Sequence, residues 1–412
     1  MATKGKSKNT VQKPNRFLFT TFYSALRAYF WLSGIRLKKQ NLCGHLPKGP
    51  AIVLCNHGSF IDFIYAAAML PGCYPNFVIA RLYFYHKLLG GLLRHLGGFP
   101  KSMFANDMSS TKNCIQVLRE NGLLVMMPEA RLSTVGCFED IQDRTYSFLK
   151  KAGVPVYTVK LCGDFLADPK WGSGIRRGSV VEAQLDILLT PEQLQTMDTA
   201  EIAAAVEQRL SYDELAWLRE RPKQRYRTRR LAEGLENILT VCPVCGGKYT
   251  ITTKKREIFC ENCGKLTQMD DRYSFPEDFR FRDFAQWYHW QKEQLHQQIL
   301  EDPDYVLQSK VTLRLPSLDG KTLTREAGSG VCRLSRQGLT YEGTRDGQPC
   351  TISFPTERVY RLLFGAGEDF EIYDGTEILY FVPEEKRSAV DWYLASMLIY
   401  DDTVKGGAYG TK

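Results

Sequence analysis

His57 and Asp62 stand five positions apart in Asn56-His57-Gly58-Ser59-Phe60-Ile61-Asp62, and their types and spacing point to proton transfer. A carboxylate bonded to one nitrogen of an imidazole leaves the other nitrogen free to accept a proton, which is how a general base is built. A plainer reading stands beside this one. Ser59 with an acid three residues later also fits a helix start, where Asp62 only caps the helix.

The elements needed to position the pair are legible. Residues 51–55 (Ala-Ile-Val-Leu-Cys) are short and apolar and follow Pro47-Lys48-Gly49-Pro50, so they read as a buried strand. Residues 59–70 read as a helix, which puts His57 at a strand-to-helix corner with Asp62 about one turn beyond it. A helix predicted over 111–122 stops at Asn121-Gly122, and a second buried strand follows over 123–127. Pro128-Glu129-Ala130-Arg131-Leu132-Ser133 then places an acid and a base at the strand's C-terminal end, the usual binding edge of an open α/β sheet. A third strand is expected over 153–161.

With these residues the chain resembles the glycerolipid acyltransferases, the superfamily that includes the 1-acylglycerol-3-phosphate acyltransferases. Asn56, His57, Ser59 and Asp62 match its Asn-His-x-x-x-x-Asp block, and Gly97-Gly98-Phe99-Pro100 matches its Gly-x-Phe/Ile-Pro segment. Pro128, Glu129 and Ser133 match part of Phe-Pro-Glu-Gly-x-Arg-Ser, and Val154-Pro155-Val156 matches its Val-Pro strand. The match runs over roughly residues 15–210. It departs where the family has glycine (here Ala130), arginine three after the glutamate (here Leu132, with Arg131 one earlier) and arginine after the second-block proline (here Lys101-Ser102-Met103). The resemblance implies an α/β catalytic domain with a mixed central sheet. It implies transfer of a fatty acyl group from a thioester, acyl-CoA or acyl-carrier protein, to a lysophospholipid hydroxyl; the favoured acceptor is 1-acylglycerol-3-phosphate, giving phosphatidic acid. His57 would be the base and Asp62 its orienting acid. Asn56, Ser59 and Glu129 would serve the acceptor, while Arg131 and Lys101 would counter its phosphate, although lysine lacks the planar fork of arginine. Cys55, beside His57, reads as core packing and not as a nucleophile.

Cys242-Pro-Val-Cys245 and Cys260-Glu-Asn-Cys263 are two Cys-x2-Cys knuckles fourteen residues apart. Four thiolates so spaced fit a structural zinc ribbon with no open catalytic position. Residues 248–253 and 256–259 read as a hairpin between the knuckles. Because zinc ribbons often bind nucleic acid and residues 219–230 are strongly basic, a nucleic-acid-binding or regulatory protein without acyl transfer is the alternative. A net charge of only +8, much of its excess near the N-terminus, makes nucleic acid the less expected partner. A helix is predicted within 276–300. Alternating runs at 306–315, 331–335, 339–343, 350–354, 359–364, 370–373 and 378–382 then precede a helix over 389–399. Strands closed by one helix resemble, by pattern, a pleckstrin-homology or GRAM-like β domain.

Up to Ile61 the chain has ten Lys/Arg and no Asp or Glu. Within this stretch residues 17–32 are rich in aromatics but interrupted by Arg27, which suits a helix lying in a lipid interface better than one spanning a bilayer. The plainer reading is a helix packed on the catalytic domain behind a basic tail. Residues 82–93 fit either the wall of an acyl tunnel or core. No cleavable signal is evident, and scattered reduced cysteines with a zinc ribbon point to the cytoplasmic face of a membrane as the site of peripheral attachment. The 412 residues, 44% of them apolar, divide into a basic tail and interfacial helix (1–40), the acyltransferase domain (41–218) and a basic linker (219–239). A zinc ribbon (240–272), a helical linker (273–304) and a small β domain (305–402) complete the expected organisation.

Overall fold

The computed structural model describes residues 11–406, so most of the basic tail expected over 1–14 lies outside the described residues. Helix α1 (Arg16–Leu32) precedes β1 (Arg36–Asn41), β2 (Ala51–Cys55), α2 (Asp62–Ala68), β3 (Asn76–Ala80), α3 (Lys87–His95) and β4 (Gly98–Lys101). There follow α4 (Met108–Arg119), β5 (Leu123–Met126), α5 (Asp143–Ala152), β6 (Val156–Cys162), α6 (Asp164–Ala167) and β7 (Val180–Leu189). Their sheet runs β1-β7-β6-β2-β5-β3-β4. Strands β6, β2, β5, β3 and β4 are parallel, β7 is antiparallel to β6, and β1 is parallel to β7, so the sheet is mixed as expected. The central strand β2 is wholly buried, which is why it reads as an unbroken apolar run. Pairing of β1 with β7 draws residues 36–40 into this sheet and out of the tail to which they were assigned. Among the described residues no helix is long and apolar enough to cross a membrane.

The segment expected as a basic linker, 219–239, is packed against the rest of the chain. Tyr226, Leu231, Ala232, Leu235, Ile238 and Leu239 are fully buried. Several of its arginines are paired: Arg219 with Asp283, Arg221 with Glu182, Arg225 with Asp271 and Arg230 with Glu233. These partners account for much of the charge that suggested nucleic acid. Helices α7 (Pro191–Thr196), α8 (Thr199–Leu210) and α9 (Glu214–Arg219) lead into this segment. The ribbon beyond it has three antiparallel strands, β8 (Ile251–Lys254), β9 (Glu257–Cys260) and β10 (Gly264–Gln268), one more than the predicted hairpin.

Helix α10 (Phe284–Glu301) is followed by β11 (Leu307–Pro316), β12 (Thr324–Ser335), β13 (Gly338–Arg345), β14 (Gln348–Pro355), β15 (Leu363–Phe364), β16 (Phe370–Asp374) and β17 (Glu377–Pro383). They form one antiparallel sheet in the order β14-β13-β12-β11-β17-β16-β15, and α11 (Ala389–Thr403) packs on it. The strand expected over 359–364 shrinks to β15. The chain there turns to bury Val359 and Leu362 and to seat Arg361 against Asp401 at 3.0 Å. A single apolar core runs from Phe165, Leu166, Trp171 and Trp217 through the ribbon and α10 to α11. The expected ribbon, helical linker and β domain therefore share one interior, which reaches α6 and α9 beside the N-terminal sheet, while that sheet's own strands bury their side chains in two separate clusters.

Candidate active site

The first turn after β2 is fixed from several sides. Leu54 and Met126 are register partners, so the chain leaves β2 and β5 side by side at their C-terminal ends. Asn56 reaches across to β6, its Nδ2 donating to the Leu161 carbonyl (3.1 Å) and its Oδ1 accepting from the Leu161 amide (2.7 Å). The His57 amide donates to Glu129 Oε1 (2.8 Å), and its carbonyl accepts from the Ser133 amide (3.0 Å). With its backbone so held, the His57 ring places Nδ1 3.1 Å from Asp62 Oδ2. The same Asp62 oxygen accepts the Ser59 amide at 2.9 Å, so the acid both ties the turn before α2 and steers the imidazole. Asp62 is fully buried, while the His57 side chain keeps 23% of its surface. Because Asp62 accepts, Nδ1 carries the proton and Nε2 is free as a base. Burial, with the charge of Lys170 second, lowers the His57 pKa to about 4, so the ring is neutral at pH 7.

His57 faces a cavity of about 850 Å³ with mostly apolar walls. Helix α1 contributes Phe19, Phe22, Tyr23 and Leu26, and the 82–93 stretch contributes Leu82, Tyr83, Leu89 and Leu93. Of the two readings of that stretch the structure favours the cavity wall, since none of its apolar side chains is buried in the core; His86 caps α3 through the Leu89 amide. Lys101 and Arg131 also line the cavity. Arg131 donates to Glu139 Oε2 (2.6 Å) and lies over the Phe104 and Tyr393 rings, while its Nε and Nη1 are buried without a protein acceptor.

Three expected substrate contacts sit elsewhere. The Glu129 carboxylate is fully buried and taken up by the His57 and Glu139 amides, so it clamps the backbone behind the ring and does not line the cavity. Asn56 is spent on β6, and Ser59 lies 3.4 Å from Asp168 and away from the cavity. A sequence pattern marks such positions without telling a clamp from a contact. Cys55 is fully buried in β2, and burial pushes its thiol well above the ordinary value, which fits packing.

Residues 36–161 match the sequence model of the Acyltransferase family. They form an acyltransferase-family domain. No curated protein matches the chain. The crystal structure of the 1-acyl-sn-glycerophosphate (LPA) acyltransferase PlsC from Thermotoga maritima is similar at 18% identity. It aligns over 51% of this chain and 82% of that one, with a TM-score of 0.40.

The acyltransferase domain is walled in part by residues far beyond it. Leu362, Leu363, Phe364, Glu371 and Tyr373 of the C-terminal sheet line the same cavity as His57. Lys170 lies there too, its Nζ 3.4 Å from the Phe364 ring centre. Burial draws Lys170 down to about 7 and pushes Glu371 up to about 8. No motif surrounds Lys170, and only the fold brings it to the site. Ala130, where the acyltransferase resemblance expects glycine, has φ +59°, so the position demands a left-handed backbone whichever residue fills it.

The four knuckle thiols converge, with all sulfurs within 4.8 Å of one another. Cys242–Cys263 and Cys245–Cys260 are 4.0 and 3.8 Å apart, close to the roughly 3.8 Å edge of a tetrahedron with metal–sulfur bonds of about 2.3 Å. Backbone amides of Gly247, Asn262 and Cys263 point at sulfur, as a thiolate site needs. The donor set fits a closed, four-coordinate metal.

Proposed function

We propose that this protein is a peripheral O-acyltransferase that moves a fatty acyl group from a thioester to the hydroxyl of a lysophospholipid, with 1-acylglycerol-3-phosphate the favoured acceptor. The observation that carries the reading is His57, bonded to Asp62 through Nδ1 and facing a large apolar cavity that also holds Arg131, Lys101 and Lys170. His57 Nε2 takes the acceptor's hydroxyl proton as its oxygen forms a bond to the thioester carbonyl carbon. Asp62 stabilises the imidazolium. The tetrahedral adduct then expels the thiolate, which recovers the proton from His57. The apolar walls suit acyl chains. The unengaged Nε and Nη1 of Arg131, with Lys101 and Lys170, suit the acceptor's phosphate and take the place of the arginine missing at Leu132. The thioester is acyl-CoA or acyl-carrier protein.

The four cysteines would hold a structural Zn²⁺ that ties the ribbon to the shared core and takes no part in the chemistry. Helix α1 turns one face to the cavity and exposes Phe17 (82%) and Trp31 (78%) on another, and Leu88 of α3 is 82% exposed. These exposed rings support attachment to a lipid surface, and the unpaired cysteines suit its cytoplasmic side. On this reading the strands and helix of 305–402 are a pleckstrin-homology or GRAM-like domain that serves as part of the cavity wall.

The test is incubation with labelled acyl-CoA and acyl-carrier-protein thioesters and a panel of lysolipids, products identified by mass. Acylation of lysophosphatidate above other acceptors is expected. Absence of transfer to every lysolipid would overturn the proposal.

A further inference from the structure

Behind His57 and Asp62 lies a second carboxyl that no sequence pattern marks. Asp164 opens α6, directly after β6 and Gly163 (φ +86°), and its side chain is fully buried. It stands in hydrogen-bond contact with the Asp62 carboxyl. Asp62 Oδ2 is already occupied by His57 Nδ1 and the Ser59 amide, whereas Asp62 Oδ1 meets no other donor and the Asp164 carboxyl meets no well-formed one, only the nearby amides of Asp164 and Phe165 at the start of α6. Among the described residues no lysine or arginine is ion-paired with either carboxyl. Glu214 accepts the Gly163 amide on both oxygens (2.8 and 2.7 Å), and Glu129 is held by two amides. Two carboxyls in contact, buried and without a cation, cannot both be ionised.

We infer that Asp164 is a neutral carboxylic acid that donates its proton to Asp62 Oδ1, making it a positioning residue in an imidazole–carboxylate–carboxyl chain. Burial pushes both carboxyls well above the usual carboxylate range; the Asp62 charge raises Asp164 further, whereas the Ser59 amide and the Asp164 contact pull Asp62 back down, so the proton belongs on Asp164. The proton on Asp164 lets Asp62 stay anionic without a buried cation. With donors on both oxygens, Asp62 is also locked in the rotamer that meets Nδ1. Gly58 completes the design, since a Cβ there would lie 2.4 Å from Asp164 Oδ2. Any side chain at position 58 would displace the carboxyl.

The inference rests on His57 being the base, and its test separates the two ideas. Asp164→Asn keeps a donor of the same shape, while Asp164→Ala removes it. We expect Asp164→Ala to lose about tenfold or more in kcat with little change in KM for the lysolipid, and Asp164→Asn to stay within about threefold of wild type. Infrared difference spectra (wild type minus Asp164→Asn) at pH 7 should show the carbonyl stretch of a protonated carboxylic acid, whether or not the protein turns over. That subtraction removes the bands of Glu129, Glu214 and Glu371. No such band overturns the inference, as does equal loss in folded Asn and Ala variants, or full activity in both. If wild type and His57→Ala are alike in activity while the band is present, the base assignment fails and the shared proton stands.

Discussion

The low basicity of His57 is open to direct measurement. Its pKa falls from 6.5 to about 4 because burial penalises the imidazolium, with the Lys170 charge adding to the effect. At pH 5.5 an ordinary histidine would be about 10% neutral, whereas His57 should be about 97% neutral. Between pH 7 and 5.5 the base therefore stays ready, where an unperturbed one would lose about tenfold in rate. The assay is an NMR titration of the free protein with selectively labelled histidine, the His57 signal identified by its absence from His57→Ala. No change in that signal is expected down to about pH 5. Lys170→Met should raise the midpoint, by less than half of the displacement, since burial ranks first. Stability follows the same sign. The folded state resists protonation, so as pH falls from 6.5 toward 4 the unfolded chain binds the extra proton, and up to about 3 kcal/mol of stability is lost. A midpoint between 6 and 7 in wild type, or no response to Lys170→Met, would refute the reasoning.

Other outcomes follow from the same geometry. His57→Ala should lower kcat by about 10²–10⁴-fold at unchanged melting temperature, as measured by acyl transfer to lysophosphatidate. Ala130→Gly relieves a left-handed alanine at φ +59° and should stabilise by about 0.5–1 kcal/mol after allowing for glycine's entropy, read from urea midpoints. Destabilisation would mean the Ala130 methyl packs usefully. Chelation, or Cys260→Ser, should release zinc and lower the melting temperature by about 5 °C or more. Activity should fall in parallel, because Cys242 and Cys260 lie in the core that carries the cavity's C-terminal wall.

The parts legible in sequence are those whose determinants are local. The buried strand β2, the helix stop at Asn121-Gly122 and the paired knuckles declare themselves within a dozen residues. Strands β1, β3, β4 and β7 escaped because β1 is largely exposed and polar and β4 is four residues with a proline. Residues 219–239 read as a basic linker because their charge is visible and their partners, Glu182, Asp271 and Asp283, are remote in sequence. In the site, the His57–Asp62 contact was foreseeable from five-residue spacing. The role of Glu129 was not, since pattern alone does not tell which way a carboxylate turns. Asp164 had one available signal: it follows the C-terminal end of β6, beside β2, where parallel strands gather functional groups.

The Tyr393 hydroxyl donates to Glu139 Oε2 (3.1 Å), the oxygen that also receives the Arg131 guanidinium, and Arg361 reaches Asp140 at 3.2 Å. A nascent chain still short of residue 393 thus carries the His57–Asp62 pair and lacks the ring and hydroxyl that brace Arg131 through Glu139. Translation must therefore pass residue 393 before Arg131 is braced, and a chain nicked in α11 would lose that brace while His57 and Asp62 stay in place.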